Sequence, residues 1–265
     1  MKLGICRDPK AYKDIEIMAK IGYDYVETNF SALSRITEAE YSQLLGVLKS
    51  TGLKCEASNC FLPGEIKVVG DDVDYGMIEE YLASTFERAQ KLGLETAVFG
   101  SGGARRIPDG FPREKAYEQL VRFLAEYAGP QAEKFGAQIA IEPLRRKETN
   151  IINTVKEGME LAAASGRDNV KGLADIYHVY SDCDDINALG SYKGTLLHTH
   201  ISHPATRHFP LSEDEYDYEW FFELLNEAGC PRCSIEGGCD DFESEAAIAY
   251  KLLRTASNNA EIQIK

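Results

Sequence analysis

Histidine is scarce in this 265-residue sequence and confined to one region. The chain has five histidines, and none stands before position 178. A site with histidine ligands from the first half of the chain is therefore excluded. The clustering of all five histidines in one stretch instead favours a histidine-containing site in the second half. The five are His178, His198, His200, His203 and His208.

Basic residues are also in short supply. The chain has 29 lysines and arginines against 43 aspartates and glutamates, which gives a formal net charge of -14. A nucleic-acid-binding surface needs Lys and Arg to neutralise phosphates, so we expect no nucleic-acid partner. The imbalance still allows a locally basic pocket.

Long apolar runs are absent as well. No run approaches the roughly 18 apolar residues that a membrane-spanning helix needs. Charged residues interrupt positions 1–11, where the apolar core of a signal peptide would lie. The seven cysteines lack the spacing of a disulfide framework, so we expect a cytoplasmic protein with reduced thiols and no membrane partner. Cys230 and Cys233 have CxxC spacing, for which we favour a structural turn over redox or zinc chemistry.

Short apolar runs alternate eight times with longer segments of helical periodicity. Glycine follows many of the helical segments, as is typical of the left-handed residue that ends a helix. The predicted strands are Leu3–Cys6, Tyr25–Thr28, Lys54–Ala57, Thr96–Phe99, Gln138–Glu142, Gly172–Asp175, Leu196–His200 and Cys233–Glu236. The predicted helices are Ala11–Ile21, Thr37–Ser50, Tyr75–Leu92, Glu114–Phe135, Thr154–Ser165, Asp184–Ser191, Tyr216–Ala228 and Phe242–Ala256.

Eight strand-helix units joined by short turns predict a parallel sheet that closes into a barrel. The fold class is therefore α/β, a single (β/α)8 TIM barrel domain over residues 1–265. An open, doubly wound sheet is the alternative. The first strand is not followed by a Gly-x-Gly-x-x-Gly motif, which argues against it.

Four residues in the second half of the chain, Glu142, Asp175, His200 and Glu236, each end a predicted strand. The active site of a TIM barrel lies at this end of the strands, and strands five to eight are neighbours. Three carboxylates and one imidazole brought to one rim make an oxygen/nitrogen site for a divalent cation. The sequence therefore predicts a metal enzyme.

Each of these residues also has a simpler interpretation. Glu142 could pair with Arg145 or Arg146, Asp175 could cap the following helix, and Glu236 could cap a helix or form an ion pair. His198 shares a strand face with His200 but lies deeper, so we expect it to be a packed or supporting group.

The same residues suit proton transfer at a carbon next to a carbonyl group. That reaction needs an acid and a base on the substrate carbons and stabilisation of the enolate oxygen. A divalent metal supplies the stabilisation as a Lewis acid. Glu142 and Glu236 are the candidates for the acid/base pair.

The whole chain resembles the sugar phosphate isomerase/epimerase superfamily, the xylose-isomerase-like TIM barrels. Its second half is similar to ketose 3-epimerases of the tagatose/psicose type and to hydroxypyruvate isomerase. The resemblance implies that Glu142, Asp175, His200 and Glu236 hold one divalent ion (Mn, Mg, Co or Zn). It also implies that the two glutamates act through an enediolate. The matching segments are Ile141–Leu144, Ala174–His178, His198–His200 and Ser234–Gly237.

The resemblance further implies that Glu148, His178 and Arg207 contact substrate oxygens. Hydroxypyruvate isomerases tend to carry glutamine where His200 stands, which favours an epimerase. A sugar or keto-acid is then the expected small-molecule partner, and a homo-oligomer is possible.

Two groups of residues near other strand ends stay open. The loop Phe99–Arg106 could bind a phosphate or carboxylate through its arginines, or it could be a tight turn with solvated arginines. Four polar residues at the second and third strands could contact the far end of a sugar or form hydrogen bonds at the rim. They are Glu27, Asn29, Glu56 and Asn59.

We therefore expect a divalent-metal-dependent sugar isomerase or epimerase. A metal-dependent dehydratase or lyase acting on a keto-sugar or inosose is the main alternative, because elimination also begins with an enediolate. A barrel without activity that serves as a binding partner is a further alternative. A DNA-repair endonuclease of the same superfamily needs histidines from the early strands, which this sequence lacks.

Overall fold

Eight parallel strands close into a barrel in which each strand pairs with the next and the eighth pairs with the first. The computed structural model describes residues 1–182 and 184–263, so Cys183, one of the thiols predicted to be reduced, lies outside the described residues. The predicted (β/α)8 fold is confirmed. The strands are β1 (Lys2–Arg7), β2 (Tyr25–Asn29), β3 (Ala57–Asn59), β4 (Thr96–Phe99), β5 (Gln138–Ile141), β6 (Val170–Asp175), β7 (Leu196–Ile201) and β8 (Arg232–Ile235).

Helices connect the strands. Most begin at a residue whose side chain accepts a backbone N–H; Thr37 and Thr154 form full capping boxes. They are α1 (Tyr12–Ile21), α2 (Phe30–Leu33), α3 (Glu38–Thr51), α4 (Tyr75–Lys91), α5 (Gly102–Arg105), α6 (Arg113–Arg122), α7 (Gly129–Lys134), α8 (Val155–Ala164), α9 (Ile176–Ser181), α10 (Tyr218–Ala228) and α11 (Phe242–Gln263). A π-helical turn (Phe123–Ala128) and a 3-10 helix (Ile186–Ser191) complete the described set.

Several predicted elements differ from the observed ones, among them the last helix, which ends at Gln263 instead of Ala256, and the short helices α2 and α5, which were not predicted. The third strand begins at Ala57, three residues later than predicted, although the carbonyls of Lys54 and Glu56 still bond to neighbouring strands. The long helix predicted to begin at Glu114 is split by the π-helical turn, which precedes Pro130, a residue without an N–H for the carbonyl four residues back. The helix predicted at Asp184–Ser191 is a 3-10 helix, and α9 was not predicted.

The barrel interior is divided between apolar and polar side chains. The large apolar core lies between the sheet and the helices. Inside the barrel, a small apolar cluster comes from β4 to β7, whereas the fully buried polar residues Glu27, His198 and Ser234 come from β2, β7 and β8. A buried polar group is stable only when it is hydrogen-bonded, so this half of the interior must be a connected network. The apolar cluster is Val98, Ala140, Leu173 and Leu197.

No helix in the part of the chain that the structure describes is both long enough and apolar enough to span a lipid bilayer.

Candidate active site

Four side chains from consecutive strands meet at the carboxyl end of the barrel. Glu142 follows β5 directly, Asp175 is the last residue of β6, His200 lies near the end of β7 and Glu236 follows β8. One oxygen or nitrogen atom from each lies within 4.8 Å of the corresponding atoms of the other three. The strand ends therefore bring together the four residues that the sequence singled out.

His200 stands at the centre of this group. Its Nδ1 lies 2.9 Å from Oε1 of Glu142 and 3.3 Å from Oε2 of Glu236, and its Nε2 lies 3.0 Å from Oε1 of Glu27. Burial disfavours the charged ring, but the charges of Glu236, Glu27 and Glu142 outweigh it and raise the pKa of His200 well above its usual value. A doubly protonated ring can donate to carboxylates from both nitrogens, which agrees with the raised pKa.

Asp175 is bonded at one oxygen and unpaired at the other. Its Oδ1 accepts the backbone N–H of Tyr177 at 2.8 Å, so it does cap α9. Its buried Oδ2 has no hydrogen-bond partner among the described residues, although Nε2 of His178 lies 3.5 Å away and Nη2 of Arg207 lies 3.6 Å away. Burial and the negative charges of Glu236 and Glu142 raise the pKa of Asp175 to about 8. A buried oxygen left unpaired among other carboxylates has the chemistry of a cation ligand.

Glu142 and Glu236 lie on either side of His200 with opposite pKa shifts. Burial opposes ionisation of both. The charge and hydrogen bond of His200, together with Arg207, nevertheless hold the pKa of Glu236 well below its usual value. At Glu142 burial prevails, and the negative charge of Glu236 adds to it, so the pKa is raised. The two carboxyl groups therefore differ in how readily they ionise.

The simpler partners considered for Glu142 are engaged elsewhere. Arg145 donates from Nε to Oε1 of Glu148 at 2.7 Å, and Arg146 donates to Asp182. Glu142 instead faces His200.

Glu148, His178 and Arg207 lie at the same rim. Nη2 of Arg207 donates to Oε2 of Glu236 at 2.6 Å, and its Nη1 lies 3.9 Å from Oε1 of Glu148. Its guanidinium carbon is 4.9 Å from the ring centre of Tyr177. Burial and the positive charge of Arg207 lower the pKa of His178 to about 3, so its ring is neutral and can donate one hydrogen bond and accept another.

Backbone contacts with the loop after β8 hold Arg207 in place. Its φ of 57° lies in the left-handed region, which is uncommon for a residue other than glycine. Its N–H donates to His203 and its carbonyl accepts from Gly238. A Cβ atom at Gly237 would lie 2.6 Å from that carbonyl oxygen. Glycine at position 237 is therefore required for Arg207 to reach Glu236.

The loop after β4 does not present two arginines to a ligand or to solvent. Arg105 is fully buried, donating to the carbonyls of Phe99 (2.9 Å) and Glu142 (2.7 Å). Burial lowers its pKa to about 10. Arg106 is exposed. Both interpretations of Arg105 were wrong, because its side chain folds under the rim and supports the backbone of Glu142.

The four polar residues left open at the second and third strands have separate roles. Asn59 donates to Oε1 of Glu236 at 2.7 Å, and Glu27 binds the two histidines of β7. Asn29 caps α2, and Glu56 pairs with Lys2 and Arg232 at the opposite end of the barrel. Of the four, Asn59 and Glu27 therefore contact the site, and Asn29 and Glu56 do not.

One cysteine at the site was not singled out from the sequence. Cys6, near the end of β1, has its sulfur within 4.8 Å of ligand-type atoms of His200 and Glu236. The only signal was its position at a strand end. The CxxC pair is a structural feature: Cys230 and Cys233 are both buried and free, and the thiol of Cys230 donates to the carbonyl of Arg232.

Comparisons with known proteins agree with the barrel fold. A family model described as "Xylose isomerase-like TIM barrel" matches residues 15–256. The chain is 26% identical over 194 residues to a D-psicose 3-epimerase of Agrobacterium fabrum, covering 69% of this chain and 64% of that protein. It is 24% identical over 187 residues to an inosose isomerase of Bacillus velezensis, covering 69% and 63%. The matched part thus spans less than two thirds of these curated relatives.

Solved structures share the fold over nearly the whole chain. The structure of a D-psicose 3-epimerase with D-tagatose from Clostridium cellulolyticum H10 superimposes with a TM-score of 0.84. The match covers 97% of this chain and 99% of that one at 20% identity. The likeness at this level of identity is one of fold.

Proposed function

The chain belongs to the xylose isomerase-like TIM barrel family, and from this premise we propose that it is a divalent-metal-dependent sugar isomerase or epimerase. In the proposed reaction a proton next to the carbonyl of a keto-sugar is removed and returned through an enediolate. The observation that carries the proposal is the buried group of three carboxylates around His200, in which Oδ2 of Asp175 is left without a hydrogen-bond partner among the described residues.

The residues fit a divalent ion. Glu142, Asp175, Glu236 and Nδ1 of His200 would hold it, and this donor set suits Mn, Mg, Co or Zn. When bound, the ion supplies Lewis-acid stabilisation of negative charge on substrate oxygens. Without an ion, these four ionisable side chains would lie crowded together, and their charges would be incompletely paired.

Glu142 and Glu236 are the proposed proton-transfer pair. Both lie within 3.3 Å of Nδ1 of His200, one on each side of the group, so each carboxyl group could exchange a proton with a substrate carbon held between them. Asn59 and Arg207 hold the two oxygens of Glu236 in fixed positions. That fixed geometry keeps a base oriented toward a substrate carbon without further reorganisation.

Arg207, Glu148 and His178 are proposed to bind substrate oxygens. Arg207 and Glu148 are partly exposed, while the neutral ring of His178 is buried beside Asp175. Together they offer donors and acceptors in a small space, as a polyhydroxylated substrate requires.

The names of the relatives point to the substrates that should be tested first. They name psicose and inosose, and the superimposed structure names tagatose. We propose that the substrate is a small keto-sugar and that the chain acts as one barrel domain over residues 1–265. We further propose that it works in the cytoplasm, and a homo-oligomer is one assembly to test.

A screen for solvent exchange tests the proposal. The protein loaded with Mn²⁺ or Co²⁺ is incubated in D₂O with ketoses, keto-acids and an inosose, and deuterium in the recovered substrate is measured by NMR. Deuterium at the carbon next to the carbonyl is the expected result. Loss of water without exchange would instead support the dehydratase or lyase. No reaction with any of these compounds while metal is bound would refute the proposed substrate class.

The loop after β4 provides a prediction about ligand position. A Cβ atom at Gly100 would lie 2.1 Å from Oε2 of Glu142. Gly100→Ala should therefore displace Glu142 and weaken metal binding by about 10–100-fold, the range seen when ligand orientation is disturbed. Gly103→Ala in the same loop is the matched control, because its Cβ would meet nothing closer than 3.6 Å. Equal metal affinity in the two variants, measured by calorimetry, would contradict this prediction.

A further inference from the structure

Glu27 is a fully buried carboxylate that binds two histidines at once. Its Oε2 lies 2.7 Å from Nε2 of His198, and its Oε1 lies 3.0 Å from Nε2 of His200. All three side chains are 0% exposed. Each oxygen of Glu27 thus faces a ring nitrogen of a histidine on β7. Glu27 lies on the side of the His200 ring that faces away from Glu142.

This contact decides which nitrogen of His200 can face a cation. A carboxylate accepts but does not donate, so Nε2 of His200 must carry a proton toward Glu27. In the neutral ring Nδ1 is then the nitrogen with a free lone pair, and Nδ1 is the atom that lies near Glu142 and Glu236. The hydrogen bond made by the second nitrogen sets both the tautomer and the ring orientation of a ligand histidine.

His198 holds Glu27 from the other side. Its Nε2 donates to Glu27 and lies 3.5 Å from Oγ of Ser234, which in turn lies 2.7 Å from the hydroxyl of Tyr25. This chain of contacts ties the carboxylate to β7 and β8. It gives Glu27 little freedom to turn away from His200.

We propose that Glu27 is a positioning residue for the metal ligand His200, and that His198 acts on the metal only through Glu27. The inference rests on the proposed metal site and adds a residue of β2 to it. Glu27 itself does not touch the ion or the substrate. Its effect is to present Nδ1 of His200 in one orientation and to make that nitrogen a stronger donor.

Metal binding by matched variants tests the effect. Glu27→Gln should raise the Kd for Mn²⁺ or Co²⁺ by about 10–100-fold, since an amide cannot accept from both rings. His198→Asn should raise it less, and the double variant should bind no more weakly than Glu27→Gln alone, because two residues acting in series are not additive. Glu56→Gln is the control: Glu56 is also buried and ion-paired, but at the opposite end of the barrel.

Two spectroscopic measurements separate positioning from a general effect on stability. The visible absorption of bound Co²⁺ should change in Glu27→Gln at saturating metal and stay as in the wild type in Glu56→Gln. In the Zn²⁺-loaded wild-type protein labelled with ¹⁵N-histidine, NMR should place the proton of His200 on Nε2. The second measurement needs no variant, so it can still overturn the assignment where Glu27→Gln does not fold.

The outcomes are distinct. Unchanged Kd and Co²⁺ spectrum in Glu27→Gln, or a proton on Nδ1 of His200, would overturn the positioning role while leaving the metal site intact. Two bound ions per wild-type chain would overturn it as well, because Glu27, His198 and His200 would then hold an ion of their own. Failure of the wild type to bind any divalent ion would overturn the proposed function and this inference with it.

Discussion

Replacing Glu236 by glutamine is expected to lower turnover by about 10²–10⁴-fold and to stop solvent deuterium from entering the substrate carbon. The amide keeps the shape of the side chain but cannot accept the proton. Glu142→Gln should also lower turnover, because inverting the substrate carbon needs a carboxyl group on each side of it. The readouts are the steady-state rate and NMR detection of deuterium in the recovered substrate.

Glu236 is also a proposed metal ligand, so the comparison must be made at saturating metal with the bound metal measured in each variant. Glu56→Gln serves again as the variant that leaves this rim untouched. Deuterium exchange at the wild-type rate in a metal-loaded Glu236→Gln protein would rule Glu236 out as an acid/base group. The proton would then have to move through a different side chain at the rim.

Replacing His200 by asparagine is expected to weaken divalent-metal binding more than any change at His198. His200 contributes the one nitrogen ligand of the proposed set, and without it Glu142 and Glu236 face each other across a buried space. We expect the loss of affinity to exceed the roughly 100-fold that residues around a ligand contribute. His198→Asn should stay within that range and retain nearly full metal content when metal is in excess.

Calorimetric titration with Mn²⁺ and elemental analysis of the two dialysed proteins make the comparison. A circular-dichroism spectrum of each variant confirms that the barrel has formed. Equal loss of metal in both variants would mean that the ligand set extends deeper into the barrel than the rim.

The sequence predicts the barrel and the location of the site because both depend on local patterns. Apolar runs of strand length, glycines after helices and polar residues at strand ends are visible one segment at a time. The common end of neighbouring parallel strands then places Glu142, Asp175, His200 and Glu236 together without any further information.

The contacts of Glu27 and Arg105 could not be read in the same way. Glu27 lies 171 and 173 residues from its two partners, and nothing in its own segment indicates that it turns into the barrel. Arg105 stands in a glycine-rich loop, where a charged residue is expected to be solvated. Its burial depends on carbonyls of Phe99 and Glu142 that only the closed sheet brings within reach.

The pairing of Glu27 with β7 has a consequence for how the chain can be divided. A fragment ending before β5 would contain Glu27 but neither histidine, and a buried carboxylate without a partner costs several kcal/mol. We expect such a half barrel to stay unfolded by itself and to gain structure only when the missing half is added. The contacts of Glu27 with His198 and His200 therefore couple the two halves of the chain into one cooperative unit.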